Sequence, residues 1–366
     1  MTPFHSHART SVVCEAGALG RLGEFARGHN FTHTLLVADE GIVKAGFVAR
    51  AVRLLEEAGV AVAPWHGFGE NPDTDAAEAG RAFAAPLHVD SIIGLGGGSS
   101  LDAAKAVNFL VTNGGTMRDY WGYGKARRPL LPMIAIPTTT GTGSEAQSYA
   151  VISDARTHRK MACGDPSAAA KLALLDPELA MMQPRGVLAA SGFDALAHAV
   201  ETWVCTRANA MSDCFAREAW RLIHENFERA LGGASVEIAG RMQVASYLAG
   251  AAIEHSMLGA AHACANPLTQ RYGITHGHAL AMLLPRVVRW NTPAVQGRYS
   301  DLHPELALRI EELRDAAGLP RSLSAAGVEM DALAELSERA AEQWTGTFNP
   351  RKLDAAAAQE LYLCAF

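Results

Sequence analysis

The sequence lacks several features that mark specialised protein classes. Its six cysteines form no CxxC pair and no regular spacing, which argues against a disulfide framework and against a structural zinc site. No stretch reaches the ~18 consecutive apolar residues of a transmembrane helix. The N-terminus has neither the apolar core nor the cleavage site of a signal peptide. We therefore expect neither export nor membrane insertion, and a reducing cytoplasm is the expected compartment.

Blocks of like charge are also missing. The chain has 32 basic and 38 acidic residues, a net charge of −6, and these charges are scattered, which is not typical of a nucleic-acid-binding surface. What the chain does have is size and apolar content. Its 366 residues, 49% of them hydrophobic, suffice for two domains of about 100–200 residues each. Small-molecule chemistry is the default expectation for such a chain.

Asp194 and His198 lie four residues apart in an alanine-rich segment that is predicted to be helical. Positions i and i+4 share one face of a helix, so both side chains can point into the same pocket. We expect this helix to begin near Ser191 and Gly192, with the serine hydroxyl as its cap. Such a pair is more often a surface or satisfied core pair than a pair of metal ligands. The apolar neighbours favour ligands, because buried polar groups need partners.

Two histidines further along the chain complete a possible metal site. We expect His262 near the end of a second alanine-rich helix. His276 follows Pro267 and Gly273, which predicts a loop or the start of a new helix. One carboxylate and three imidazoles suit a divalent transition metal. Separate elements would then converge on one ion.

The first half of the chain alternates short apolar runs with helical stretches, which is typical of a parallel sheet flanked by helices. The predicted strands are 34–39, 60–66, 91–97 and 132–138, followed by short strands or edge pieces at 150–154, 159–165 and 171–176. From about residue 184 nearly everything is predicted to be helical. We therefore expect an α/β domain over residues 1–182 and an all-α domain over residues 183–366.

A glycine-rich loop, GLGGGSSLDAAKA at 94–106, joins the third predicted strand to a helix. Its backbone N–H groups could close on an anion at the helix N-terminus. The loop is neither GxGxxG, because Ser99 occupies the third glycine position, nor a P-loop. A tight turn without a ligand is about as common. Its place at the carboxyl end of a parallel strand favours a ligand loop.

A second loop, PTTTGTGSE at 137–145, also follows a predicted strand and offers several hydroxyls near glycines. Alone it would be read as an ordinary Ser/Thr-rich turn. Asp39 ends the first predicted strand, where an acid can accept a hydrogen bond from a ribose 2′-OH and so favours NAD over NADP. The acid precedes the glycine loop, however, whereas in a standard Rossmann unit it follows by about 20 residues. This order indicates a different dinucleotide-binding fold.

In combination these motifs resemble the iron-containing (group III) alcohol dehydrogenase family. The resemblance spans most of the chain and is carried by four long motifs in order: GGGSSLDAAKA at 96–106, PTTTGTGSE at 137–145, DALAHAVE at 194–201, and HACANPL with THGHALAMLLPRVVRWN within 262–291.

The resemblance implies the dehydroquinate synthase-like or iron-alcohol dehydrogenase fold, with a Rossmann-like α/β NAD(P)-binding domain and an all-α metal-binding domain. It implies a metal, Fe(II) first and Zn(II) second, held by Asp194, His198, His262 and His276. It also implies NAD(H) as the favoured cofactor, bound by Asp39, Asn71, Gly97, Gly98, Ser99, Asp102, Thr138, Thr139, Thr142 and Lys160.

One position departs from the family pattern. The family carries a second histidine four residues after the third ligand, near the substrate, and here that residue is Asn266. Asparagine cannot act as a general acid near neutral pH, although its amide can hydrogen-bond an alcohol or orient a water. His278 and His255 are the other candidates for proton transfer.

The implied activity is hydride transfer between the nicotinamide and a small alcohol or aldehyde polarised by the metal. The alternatives are a glycerol dehydrogenase-like, maleylacetate reductase-like or dehydroquinate synthase-like enzyme, or a non-catalytic nucleotide or metal sensor. Among partners we expect a small alcohol or aldehyde and a homodimer or larger homo-oligomer, with no nucleic acid and no membrane.

Overall fold

The computed structural model describes residues 3–295 and 297–366 of the chain. The chain divides into two compact units. The α/β unit comprises residues 7–139 and 143–183; the helical unit comprises the segment up to Ser6, residues 140–142 and residues 184–366. Among the described helices, none has both the length and the apolar character that crossing a lipid bilayer requires.

The α/β unit is built on a six-stranded sheet with the order β1-β9-β6-β4-β2-β3, in which every neighbouring pair is parallel. A second, smaller sheet has the order β5-β8-β7. The strands are β1 Ser11–Cys14, β2 His33–Val37, β3 Ala61–Trp65, β4 Ser91–Gly96, β5 Gly122–Tyr123, β6 Met133–Pro137, β7 Tyr149–Ser153, β8 Lys160–Gly164 and β9 Leu172–Leu175.

The prediction of an α/β fold with a parallel sheet is confirmed, but the place of β9 differs, and β1 and the two-residue β5 were not predicted. β9, expected to be a short strand or edge piece, lies inside the large sheet between β1 and β6 and is buried at all four residues. An uninterrupted apolar run such as LALL is typical of a strand covered on both faces, a signal that the prediction overlooked. β1 was not predicted, because three of its four residues are exposed at the sheet edge.

Helices of this unit pack on the large sheet and bury separate apolar clusters. Burial follows the sequence pattern: in the third helix Ala51 and Leu55 face the core, four residues apart on one side. The helices are α1 Leu22–Gly28, α2 Glu40–Lys44, α3 Phe47–Glu57, α4 Thr74–Ala84, α5 Gly98–Asn113 and α6 Pro177–Met181.

The helical unit has a single large apolar core to which nearly all of its helices contribute. Its helices are α7 Arg185–Val204, α8 Ala210–Leu231, α9 Val236–His255, α10 Ala260–Tyr272, α11 His276–Asn291, α12 Arg298–Leu302, α13 Leu306–Ala317, α14 Leu333–Ala341 and α15 Ala355–Ala365. The expectation of an all-α second half is confirmed.

Two helix boundaries in this unit differ from the sequence prediction. α7 begins after Pro184, and Ser191 and Gly192 lie inside it. Gly192 is a packing residue and not a helix start, since a Cβ there would come within 2.5 Å of the Phe227 ring. His262 does not close a helix but lies in the first turn of α10.

The error at α10 has a clear physical cause. Pro267 suggested a break, but the helix continues through it to Tyr272 and ends at Gly273, which has a left-handed φ of 64°. His276 is the first residue of α11. Of the two predicted positions, a loop or the start of a new helix, the structure shows the second.

Candidate metal centre and cofactor loops

In the helical unit the three predicted histidine ligands surround one carboxylate oxygen of the fourth, Asp194. Nε2 of His198 lies 3.3 Å from Oδ1 of Asp194, Nε2 of His262 lies 3.5 Å from it, and Nε2 of His276 lies 3.8 Å from it. The donor atoms of Asp194, His262 and His276 all lie within 4.8 Å of one another. Three separate helices therefore bring the predicted quartet together.

These distances suit a shared cation better than hydrogen bonds. Donors that bind one ion at about 2.1 Å in a tetrahedral arrangement are about 3.4 Å apart. Oδ1 of Asp194 and Nε2 of His262 are buried and make no hydrogen bond within the described residues. Leaving buried polar atoms without partners costs about 1–3 kcal/mol each. The residues present therefore fit a divalent metal.

The surroundings give Asp194 and His198 the protonation states that metal binding requires, whereas they favour a protonated His262. Burial opposes ionisation of Asp194, but the nearby imidazoles, His198 first, hold the pKa of this carboxyl well below its usual range. Burial lowers the pKa of His198 to about 4, so its ring is neutral near pH 7. Burial also opposes protonation of His262, yet the carboxylates of Glu201 and Asp194 raise its pKa to about 9. A metal must displace that proton.

Two glycines allow backbone segments to approach α7 beside the quartet. A Cβ on Gly277, the residue after His276, would lie 2.1 Å from the carbonyl oxygen of Ala190. A Cβ on Gly141 would lie 2.3 Å from the carbonyl oxygen of Ser191. Real Cβ atoms do not come so close, so glycine is required at both positions.

In the α/β unit, the glycine loop lies where β4 ends and α5 begins. Gly96 has a φ of 145°, and a Cβ there would meet the Ser100 hydroxyl at 2.4 Å. Gly97 is the N-cap of α5 and Gly98 is its first residue. The backbone of Asn71, with a φ of 52°, donates to the Ser99 hydroxyl at 3.2 Å. The loop therefore presents the N-terminus of a 16-residue helix.

The Thr-rich loop is fastened to α5 by a buried lysine. Nζ of Lys105 donates to the carbonyl oxygen of Ser144 at 2.7 Å and to those of Gln147 and Tyr149 at 2.8 Å. The Ser144 hydroxyl donates to Asp102 at 2.7 Å. One helix thus carries the glycine loop and holds the second loop in register with it.

The remaining predicted cofactor residues lie in the Thr-rich loop, on α5 and on β8. Thr138 continues β6, its backbone donating to the Gly96 carbonyl oxygen at 3.0 Å, and the Thr139 side chain is 3.3 Å from where a Cβ on Gly97 would lie. Burial raises the pKa of Asp102, and the charges of Lys105 and Lys160 oppose that rise. Thr142 belongs to the helical unit.

Asp39 is the N-cap of α2, and both of its oxygens have protein partners. Oδ1 accepts from the backbone of Ile42 at 3.1 Å, and Oδ2 accepts from the Ser100 hydroxyl at 2.8 Å. Each carboxylate oxygen has a second lone pair, so a further hydrogen bond remains open to it. Capping is a function of Asp39 that the sequence prediction did not include.

The three candidates for proton transfer have different surroundings. Asn266 lies one helical turn after His262, and its amide donates to Gln343 at 3.2 Å. His278 follows His276 by two residues, a spacing that places side chains on different sides of a helix. Both ring nitrogens of His255 are engaged, one with the Ala251 carbonyl oxygen and one with the Ser6 hydroxyl.

Sequence reasoning missed Glu201 and Lys105 although both lie in the quoted motifs. Glu201 is seven residues after Asp194, so the i, i+4, i+7 pattern of a helix face could have revealed it. Lys105 follows the glycine loop on a largely apolar helix, three residues after Asp102, and a charged side chain in such a helix signals a buried partner.

Comparison with known proteins covers both units. Residues 9–177 match the model of iron-containing alcohol dehydrogenases, and residues 188–366 match the C-terminal domain of the same family. Alcohol dehydrogenase 4 of Schizosaccharomyces pombe is 37% identical over 289 residues, covering 78% of this chain and 68% of its own. The NAD-dependent methanol dehydrogenase of Bacillus methanolicus is 31% identical, covering 93% of each chain.

Solved structures agree. A crystal structure of 1,3-propanediol oxidoreductase superposes with a TM-score of 0.95 at 30% identity and covers 100% of both chains. The predicted resemblance is thus confirmed: the chain belongs to the iron-containing alcohol dehydrogenase family and is an oxidoreductase of alcohols and aldehydes.

Proposed function

We propose that the enzyme interconverts a small alcohol and its aldehyde, using NAD(H) and a divalent metal held by Asp194, His198, His262 and His276. The observation that carries this proposal is the convergence of three imidazole nitrogens, 3.3–3.8 Å away, on one buried carboxylate oxygen. In the oxidative direction the alcohol gives a hydride to NAD⁺ and a proton to a base or to solvent.

The ligand set would carry a single negative charge, so a divalent cation bound there would keep net positive charge and could stabilise negative charge on a substrate oxygen. Asp194 supplies that one charge, and the three histidines supply neutral nitrogens. Fe(II) is the proposed ion and Zn(II) the second choice, because imidazole and carboxylate donors accept both. Family membership favours iron.

For the cofactor we propose NAD(H) over NADP(H). The carboxylate of Asp39 lies two residues after the end of β2, where a 2′-phosphate would be repelled and a 2′-OH could donate. The N-terminus of α5, with Gly97, Gly98 and Ser99, is proposed to bind the pyrophosphate through backbone N–H groups and the helix dipole. The named activity of the Bacillus methanolicus relative is also NAD-dependent.

Asn266 is proposed to orient the substrate or a water molecule. It follows His262 by four residues and so shares its helix face, and its amide is already paired with Gln343. Because an amide does not titrate, the proton would leave through water or another group. His278 and His255 stay as predictions for that role, although the ring nitrogens of His255 both have protein partners.

We also propose a cytoplasmic location and a homo-oligomer. All six cysteines are free, which suits a reducing compartment. Trp121, Tyr123 and Val151 expose apolar surface around the small sheet of the α/β unit, as protein interfaces often do. Light scattering coupled to size exclusion measures the mass of the assembly directly.

The proposed function is tested by stripping the protein of metal and reloading it separately with Fe(II), without oxygen, and with Zn(II). NADH absorbance then reports reduction of a panel of small aldehydes. Metal-dependent turnover is expected. Equal activity in the stripped protein would contradict the proposal and would favour a maleylacetate reductase-like enzyme, and binding of NADH and metal without turnover of any alcohol or aldehyde would favour a sensor.

A further inference from the structure

Glu201 has no part in the proposed ligand set, yet it is among the most deeply buried charged groups of the helical unit. It is 3% exposed and lies on α7 at the third position of the series Asp194, His198, Glu201. These positions share one face of the helix. The face that supplies two proposed ligands therefore also supplies a second carboxylate.

Both oxygens of this carboxylate contact the first turn of α10. Oε2 lies 2.5 Å from Nδ1 of His262, and Oε1 accepts from the backbone N–H of Ala261 at 2.6 Å. A Cβ on Gly259, the N-cap of α10, would lie 3.0 Å from Oε1, so this glycine leaves the carboxylate room. The carboxylate is thus fixed at two points of a single helical turn.

The charges around Glu201 leave it dependent on these two contacts. Within the described residues its ion pairs are limited to His262, and no lysine or arginine lies within ion-pair distance. Its compensation comes from the imidazole and from the N-terminus of α10, where the helix dipole favours an anion. A buried carboxylate with so few partners strongly prefers that Nδ1 of His262 carries a proton.

From this geometry we propose that Glu201 is a positioning residue for the metal site: it holds the His262 ring with a proton on Nδ1, so that Nε2 faces Oδ1 of Asp194 as a lone-pair donor. This inference rests on the metal site proposed above. In such an arrangement the carboxylate fixes both the tautomer and the orientation of the ring and increases its basicity. Glu201 does not touch substrate or cofactor in this role.

The test is Glu201→Gln, which keeps the size of the side chain. A glutamine has one acceptor oxygen for two donors, so either the Ala261 N–H or the His262 ring loses its partner. Its amide N–H₂ would also favour the other tautomer of His262, with the proton on the nitrogen that should bind metal. We expect Zn(II) affinity, measured by competition with a chromophoric chelator, to fall about 10- to 100-fold.

Asn349→Ala is the matched control. Asn349 caps the same turn of α10, because its side chain accepts a hydrogen bond from the backbone of Ala260 at 3.2 Å. Within the described residues, none of the hydrogen bonds of the Asn349 side chain goes to His262. If the role of Glu201 is purely structural, both variants lower the melting temperature and neither changes the affinity for metal. Positioning predicts that only Glu201→Gln weakens metal binding and changes the visible spectrum of the Co(II)-loaded protein.

The outcomes separate the two proposals. If the unmodified protein binds Zn(II) and Co(II) and Glu201→Gln matches it in affinity and spectrum, the positioning role is overturned and the metal site stands. If the unmodified protein binds neither ion, the site itself fails and the inference falls with it. Should Glu201→Gln not fold, Glu201→Asp, whose shorter side chain cannot span both donors, replaces it with the same expected loss.

Discussion

The two units of this enzyme build their candidate sites from different materials. The helical unit uses side chains on three helices, and Oδ1 of Asp194 and Nε2 of His262 are buried there and make no hydrogen bond to the part of the chain that the structure describes. The α/β unit uses backbone at strand ends, and its polar side chains satisfy one another, as Lys105 does with the Thr-rich loop. We propose that a metal ion completes the first site. The loops of the second site are already held by hydrogen bonds within the protein, and we propose that they bind the anionic cofactor.

That difference predicts separable defects. Removing a ligand from the quartet should abolish metal binding and leave the cofactor loops intact. Disturbing the loops should weaken nucleotide binding and leave metal content unchanged. The following experiments test that separation, beginning with the largest expected effect.

His276→Ala should remove bound metal and lower aldehyde reduction at least about 1000-fold, since a bound metal supplies several kcal/mol of transition-state stabilisation. Metal analysis and NADH oxidation measure both losses, and NADH fluorescence should show cofactor binding largely retained. His224→Ala, a partly exposed histidine of α8, is the control and should keep its metal. Full activity in a metal-free His276→Ala protein would contradict the assignment.

Lys105→Met should weaken NADH binding roughly tenfold or more. The substitution removes the hydrogen-bond donor of three carbonyl oxygens, those of Ser144, Gln147 and Tyr149, through which the Thr-rich loop is held. The melting temperature should also drop. Lys44→Met, which removes an exposed lysine of the same unit, should do neither. If Lys105→Met lost metal but kept its NADH affinity, the separation of the two sites would be wrong.

Asp39→Asn should raise kcat/KM with NADPH relative to kcat/KM with NADH about tenfold, which is equivalent to about 1.4 kcal/mol. The variant removes the charge but keeps an oxygen that can cap α2, which Asp39→Gly would not. Parallel assays with both cofactors measure the shift. An unchanged ratio would refute the proposed contact with the ribose.

Glu145→Gln should change how stability depends on pH. Burial raises the pKa of Glu145 from 4.5 to about 7, so the folded state favours the protonated form. Its contribution is present below pH 4.5 and is lost as the pH rises through 7, a change on the order of 3 kcal/mol. The melting temperature of the variant minus that of the unmodified protein should be several degrees larger at pH 8 than at pH 5.

The sequence predicted which side chains come close together better than it predicted the bounds of the helices that carry them. Asp194 and His198 were paired correctly on one helix although its start was misplaced, since the i, i+4 spacing does not depend on where a helix begins. The position of His262 was misjudged because Pro267 is tolerated inside α10. Helix boundaries depend on tertiary packing, which no local pattern contains.

What the sequence could not give was the set of long-range partners. Lys105 contacts residues about 40 positions away, and Glu201 contacts a turn 60 residues away. Capping by Asp39 is local and was visible in principle, because an aspartate before a helical segment is a standard start signal. The place of β9 between β1 and β6 depends on pairing with distant strands and could not be read from four apolar residues.

Gly277 makes the proposed metal site sensitive to a substitution that leaves all four ligands in place. Because its missing side chain lets the first turn of α11 rest directly on the carbonyl of Ala190, the distance between His276 and Asp194 is set by contact between two main chains. A single added methyl group would act as a spacer and loosen the ion's coordination while every donor atom remained in place. Anyone grafting this quartet onto another helical scaffold would therefore have to transplant the bare backbone surface along with the ligands.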